Sequence, residues 1–113
     1  MDERTYAAWL LDFYGPLLTA RQRELLHQHL NEDFSLAEIA KMEGVTRQAV
    51  HDTVKKAQAQ LTGLEASLGL VQRQLSLLES AGKALDCLTV GDPQGAMELL
   101  TEIIDKEGEP DGI

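Results

Sequence analysis

The chain has 113 residues and a formal net charge of −9; 43% of the residues are hydrophobic and only 4% are aromatic. This composition allows a packed core built mainly from Leu, Ile, Val and Ala, which is typical of an all-α protein. The single cysteine, Cys87, excludes an internal disulfide and fits a reducing cytosol. We expect no signal peptide, no membrane insertion and a cytoplasmic location, because no basic segment precedes a long apolar run.

The negative charge is concentrated in the second half of the chain. Residues 1–60 carry nine acidic and seven basic side chains, whereas residues 61–113 carry ten acidic and three basic ones. Within 46–56, three basic residues stand against the single acid Asp52. Because charges are screened over about 10 Å at ordinary salt, a distant acidic segment would not cancel this local positive sign.

Two helices are predicted before residue 31. The first runs from about Thr5 to Tyr14 and is stopped by Gly15-Pro16, since a residue before proline leaves the helical region. The second opens at a capping-box pattern in which the hydroxyl of Thr19 is followed three residues later by Gln22, and it extends to about Leu30.

The stretch "SLAEIAKMEGVTRQAV", residues 35–50, has the pattern of a helix-turn-helix. Its first helix opens at a capping box and ends at Gly44, a residue suited to the left-handed turn. Thr46 would cap the second helix. The small Ala40, the turn glycine and the apolar anchor Val50 fall where two crossing helices need them.

An apolar seam continues from the second of these helices. Its members are spaced alternately by four and three residues, which indicates a heptad repeat: Val50, Val54, Ala57, Leu61, Leu64, Leu68, Val71, Leu75 and Leu78. Gly69 leaves open whether this is one long helix or two. The seam could fold back on the chain, but we favour self-association into a homodimer, with the following interface residues: Leu64, Leu68, Val71, Leu75 and Leu78.

The last predicted element is a short acidic helix. Asp92-Pro93 places a capping acid before a first-turn proline, and apolar residues follow at helical spacing. The segment 106–113 reads as a frayed polar tail. The predicted organisation is therefore a helix-turn-helix domain (1–60), a heptad-patterned dimerisation extension (61–90), and a short acidic C-terminal helix with its tail (91–113).

The polar face of the second helix of the pair is the candidate DNA-reading surface. At about 100° per residue, basic and amide side chains separate cleanly from the apolar row. Arginine suits guanine, glutamine suits adenine, and the later lysines suit phosphates. The predicted DNA-binding residues are Thr46, Arg47, Gln48, His51, Lys55 and Lys56. A merely solvated face, a protein-binding use and RNA binding remain alternatives.

Catalysis is not expected. The sequence has no phosphate-binding glycine loop, no nucleophile–base pair and no cluster of metal ligands. His27 and His29 are two residues apart, so they diverge on a helix and do not form a metal pair. We therefore expect a non-enzyme without metal or cofactor.

The stretches "LLDFYGPLLTARQRELL" and "DFSLAEIAKMEGVTRQAVHDTVKKAQAQLTGLEASLGL" resemble the YlxM family of small bacterial proteins. The resemblance covers residues 6 to about 72. It implies a helix-turn-helix related to the promoter-reading region four of bacterial sigma factors. The capped helix pair and the apolar seam together predict an all-α fold with a long C-terminal helical extension.

The same resemblance implies a set of partners. Family members are described as participants in, or regulators of, the signal recognition particle pathway. We accordingly expect a DNA-binding regulatory protein of the bacterial cytoplasm that pairs with a second copy. The alternative is an adaptor that contacts RNA polymerase or the signal recognition particle without binding DNA.

Overall fold

A computed structural model describes residues 1–108. It contains six α-helices and a short 3₁₀ turn, at the following positions: α1 Glu3–Tyr14, the 3₁₀ turn Gly15–Leu17, α2 Ala20–Leu30, α3 Leu36–Glu43, α4 Arg47–Leu68, α5 Leu70–Thr89 and α6 Pro93–Glu107. No strand occurs among these residues, so the predicted all-α class is confirmed. The chain divides into two compact units, the first ending at Val71 and the second beginning at Gln72. No helix in the described range is long and apolar enough to cross a membrane.

The helix starts lie where the capping patterns place them. Thr19 and Ser35 both form complete capping boxes, in which the side chains of Gln22 and Glu38 accept the backbone N–H of the respective cap residue. The side chain of Asp92 accepts the Gly95 N–H at 3.0 Å, as its position before Pro93 predicted. α1 begins two residues earlier than predicted, because Asp2 acts as its cap. Its carboxylate accepts the Thr5 N–H at 2.7 Å, and this hydrogen bond lowers the pKa of Asp2.

The core of the first unit consists of aliphatic side chains and one tyrosine. Helices α1, α2 and α3 all pack against α4, which carries a continuous buried row. The fully buried large side chains of this unit are Tyr14, Leu25, Leu26, Ile39, Val50, Leu61 and Val71. The rotation of α4 about its own axis is therefore fixed, because only one of its faces is apolar enough to pack into this core.

The long helix is broken at Gly69. This residue has φ 63° and ψ 25°, and its N–H donates to the Glu65 carbonyl at 2.8 Å, so α4 ends in a left-handed cap. α5 restarts at Leu70. Its first turn is capped by a residue of the preceding helix, because the Glu65 carboxylate accepts the Val71 N–H at 3.0 Å.

This break bears on two expectations about the extension. The first compact unit does not end at residue 60: Leu61 and Val71 belong to its core, at 1% and 0% exposure. Val71 is one of the predicted seam residues, and its side chain is fully enclosed in the core of the first unit. Of the other four seam residues, Leu64 and Leu75 are half-buried, whereas Leu68 and Leu78 are exposed.

The second unit is an antiparallel hairpin of α5 and α6. Arg73 near the start of α5 pairs with Glu107 at the end of α6, with 2.5 Å between Nε and Oε2. α6 is four turns long and extends to Glu107, so it includes the first two residues of the segment predicted as a tail. The remainder of that tail, 109–113, lies outside the described residues.

Candidate nucleic-acid interface

The turn between α3 and α4 is built by a glycine and two backbone hydrogen bonds. Gly44 has φ 68° and ψ 31°, and its N–H and that of Val45 both donate to the Ala40 carbonyl. A Cβ added at Gly44 would meet nothing within 4 Å, so this position needs glycine for its backbone angle and not for space. The turn holds the start of α4 in place as the helix-turn-helix pattern predicts.

Thr46 fixes the first turn of α4. Its Oγ1 accepts the Ala49 N–H at 3.0 Å, which satisfies one of the free donors at the helix start. Thr46 stood among the predicted DNA-binding residues. The hydroxyl of Thr46 is already engaged as a cap, so its structural part is to position the start of α4. A contact between Thr46 and DNA would have to form in addition to this hydrogen bond.

The inward face of α4 is completely buried. Val50 and Ala57 are 0% exposed and Val54 is 5% exposed. Arg47, Lys55 and Lys56 are exposed, and among residues 1–108 none of the three forms an ion pair. Counted at about 100° per residue, Lys55 and Lys56 lie away from this apolar row, whereas Arg47, the first residue of α4, lies close to the line of Val54.

Asp52 is an acidic residue on the same helix as these cations, and its contacts were not anticipated. The Nε2 group of Gln48 donates to Asp52 Oδ1 at 2.8 Å. The i, i+4 spacing on a helix was the available signal for this pair. For Gln48 to contact adenine as predicted, its amide would first have to break the hydrogen bond to the Asp52 carboxylate.

His51 also lies beside this acid. Its Nδ1 is enclosed and 3.6 Å from Asp52 Oδ1, while 44% of its side chain is exposed. The exposed edge of the ring is therefore the one away from Nδ1. Lys41 in the last turn of α3 is a further exposed cation of the helix pair and was absent from the predicted set.

Two carboxylates of α3, the helix before α4, already have partners within the fold. Glu43 of α3 pairs with Arg21 at 3.2 Å and accepts a hydrogen bond from Gln28 at 3.3 Å. Glu38 is held in its capping box. Because these two carboxylates are engaged with other groups, they do not form ion pairs with the cations of α4.

No other described feature resembles a catalytic or metal site. Within residues 1–108 no group of three His, Cys, Asp or Glu side chains lies close enough to hold a metal ion. An open groove of about 810 Å³ lies between α1 and α2 and is lined by Trp9, Arg23 and His27 among others. It shares no lining residue with α4, so it is separate from the candidate interface.

Two crossed helices, a left-handed glycine turn and an outward basic surface on the second helix define this molecule as a helix-turn-helix protein. The chain belongs to the UPF0122 family, whose description is "Putative helix-turn-helix protein, YlxM / p13 like" and whose model matches residues 1–87. The resemblance noted in the sequence is thereby confirmed.

Several proteins of this family are similar to the chain over most of its length. The UPF0122 protein STH1464 of Symbiobacterium thermophilum is 52% identical over 96 residues, which cover 82% of this chain and 90% of the relative. The UPF0122 protein of Acetivibrio thermocellus is 47% identical, covering 78% and 73%. That of Desulforamulus reducens is 43% identical, covering 86% and 89%. These relatives carry the name of the same family.

Proposed function

We propose that this protein binds duplex DNA with the outward face of α4 and regulates transcription in the bacterial cytoplasm. The observation that supports this most directly is the set of three exposed cations without ion pairs, Arg47, Lys55 and Lys56, on a helix whose apolar face is locked into the core. A rigid, capped helix offers these groups to a polyanion without first reorganising.

Each side chain has a distinct part in the proposal. Arg47 and Gln48 lie in the first turns, where a reading helix meets base edges, and they suit guanine and adenine. His51 offers its exposed ring edge one turn later. Lys55 and Lys56 contact phosphates and so set affinity without sequence preference.

Salt dependence distinguishes this proposal from a merely solvated face. Three neutralised phosphates would give a slope of roughly −3 for the logarithm of affinity against the logarithm of salt. The experiment is an anisotropy titration at low and moderate salt with labelled duplexes, beginning with DNA upstream of the protein's own operon. Failure to bind any duplex at low salt would refute the proposal.

Two variants and a control separate the roles within the surface. Arg47→Ala should relax sequence preference, whereas Lys56→Ala should weaken binding to all duplexes alike and reduce the salt slope by about one. Lys83→Ala is the matched control, because Lys83 lies in the hairpin and pairs with Glu79 at 3.3 Å. It removes the same charge and should leave DNA binding unchanged.

The resemblance to the YlxM family extends the proposal to the signal recognition particle pathway, whose genes would be the regulated ones. A second candidate function, an adaptor for RNA polymerase or for components of that particle, is favoured by one observation: Asp52 already occupies the Gln48 amide. Recovery of such a partner by the purified protein, together with no DNA binding, would favour the adaptor.

We also propose that the protein acts as a homodimer. Two copies would hold two α4 helices at a fixed separation, which suits a two-fold DNA site. Light scattering of the purified chain tests this part independently of any DNA.

A further inference from the structure

The α5–α6 hairpin has very little core of its own. Between Gln72 and Gly108, only Ala84 and Ala96 are fully buried. Six large apolar side chains of the hairpin are instead exposed by 44–70%: Leu78, Leu85, Leu88, Met97, Leu100 and Ile104. Two amphipathic helices that bury only small residues against each other leave their main apolar surface uncovered.

These six side chains form one continuous face. Ala84 and Ala96 mark the sides of α5 and α6 that are turned towards each other. Counted from these alanines at about 100° per residue, the exposed rows lie about 40–120° round α5 and about 40–100° round α6, in the same rotational sense. The helices run antiparallel, as the Arg73–Glu107 ion pair requires. Equal rotations therefore bring both rows to the same side of the hairpin.

The opposite side of the hairpin is polar. It carries a narrow groove lined by Ser76, Ser80, Glu102 and Lys106 among others. The hairpin is therefore amphipathic, with one polar side suited to contact with water and one apolar side suited to contact with a partner.

The centre of this apolar face carries no charge. The residues that separate the large side chains there are uncharged: Gln74, Ala81 and Gly82 on α5, and Pro93 and Thr101 on α6. Acids stand only at its edges, on α5 at Asp86 and on α6 at Glu98 and Asp105. A neutral apolar centre does not select a charged partner. It can, however, pack against the same face of a second copy, because no like charges meet there.

We propose that this apolar face of the hairpin, which we call the α5–α6 face, is where a second copy of the chain docks to form an intermolecular four-helix bundle. The proposal deepens the homodimer proposed above. It replaces the predicted seam, which includes the buried Val71, with a surface made by two helices.

The area of the face suits a dimer. At their observed exposures the six side chains hold roughly 400 Å² of apolar surface per copy, so two copies would bury about 800 Å². Specific, stable interfaces between proteins bury about 1,200–2,000 Å² in total, and about 65% of a homodimer interface is apolar, so this face corresponds to the lower end of that range. The largest apolar patch on a protein surface commonly measures about 300–600 Å² and is often a functional surface. A second copy of the chain is also the one partner that is always available at the same concentration as the chain itself.

The acidic edges determine how the dimer responds to salt. Two copies bring like charges together at the rim, so added salt should screen the repulsion and tighten the dimer. DNA binding through α4 should weaken under the same change. The two opposite trends allow failure of the dimer and failure of DNA binding to be told apart.

Gly82 provides the decisive variant. It lies in the row of exposed α5 leucines, between Leu78 and Leu85, and a Cβ added there meets nothing within 4 Å. Gly82→Glu therefore removes no contact within one chain and improves helix propensity, yet it places two charges in the dimer interface. Gly63→Glu in α4 is the matched control, since a Cβ added at Gly63 also meets nothing within 4 Å.

Sedimentation velocity over a range of protein concentrations measures the result, with helix content followed by circular dichroism. We expect the unaltered chain and Gly63→Glu to be dimers with equal dissociation constants. Gly82→Glu and Leu85→Glu should raise the dissociation constant by about a hundredfold or more while helix content is retained. A monomeric unaltered chain at high micromolar concentration overturns the proposal. So does a dimer that Gly82→Glu leaves intact, because the copies would then be joined elsewhere.

Discussion

The phenol of Tyr14 donates a hydrogen bond to the Oε1 atom of Glu65 at 2.5 Å, joining the end of α1 to the last turn of α4. The same Glu65 oxygen accepts the Val71 N–H, and the Tyr14 oxygen accepts the Leu70 N–H at 3.0 Å. Two side chains thereby satisfy the first donors of α5, which otherwise would have no partner next to the break at Gly69.

We expect Tyr14→Phe to lower the free energy of unfolding by about 2 kcal/mol, because the Leu70 N–H loses its acceptor and a buried carboxylate contact is lost. Urea unfolding followed by circular dichroism measures the change. Tyr6→Phe is the control, since Tyr6 is a half-buried residue of α1 and its hydroxyl forms no hydrogen bond within residues 1–108. Equal stabilities for the two variants would contradict the role of Tyr14.

The environment of Tyr14 also has a consequence at high pH. Burial, followed by the hydrogen bond to Glu65, raises the pKa of Tyr14 above its ordinary value of 10.0. A raised pKa in the folded state means that the contribution to stability is complete below pH 10 and is lost as the pH rises through the folded value. In an absorbance titration, one of the two tyrosines should ionise later than a free tyrosine, and Tyr14→Phe should remove that late component. A late component that survives in Tyr14→Phe would assign the effect to another group.

Gly69 and Gly63 should respond to alanine with opposite signs. Gly69 has φ 63°, so alanine there costs about 1–2 kcal/mol although nothing lies within 4 Å of the new Cβ. Gly63 lies inside α4 with equally open surroundings, so Gly63→Ala should stabilise the protein by about 1 kcal/mol. Thermal unfolding of both variants tests the pair. Stabilisation by Gly69→Ala would mean that α4 and α5 can form one continuous helix.

Asp52 is expected to restrain DNA binding. Asp52→Asn removes a negative charge from the surface of α4 and weakens the contact that holds the Gln48 amide. If α4 faces DNA, affinity should rise by about three- to tenfold at low salt, because a carboxylate near phosphates is unfavourable. Asp12→Asn, an equal change on the exposed side of α1, is the control and should have no effect. An unchanged affinity for Asp52→Asn would place the DNA away from this part of α4.

The features that the sequence predicted correctly depend on residues close together in the chain. The capping boxes at Thr19 and Ser35, the left-handed Gly44 and the cap at Asp92 each involve partners within four residues. Such hydrogen bonds form whatever the rest of the chain does, so residue type and spacing suffice to recognise them. The outward position of Lys55 was readable for a related reason, because helical periodicity places it about 100–140° round α4 from Val54 and Val50.

The features that only the tertiary structure decided depend on distant partners. A heptad pattern states that Val71 and Leu78 are apolar and evenly spaced, but not that Val71 enters the core of the first unit while Leu78 is half exposed. Gly69 was a possible break by sequence, and it became one through a tyrosine that lies in a different helix. Burial and long-range hydrogen bonds are set by which helices meet, because a side chain's environment is a property of the packed elements around it and not of its own spacing.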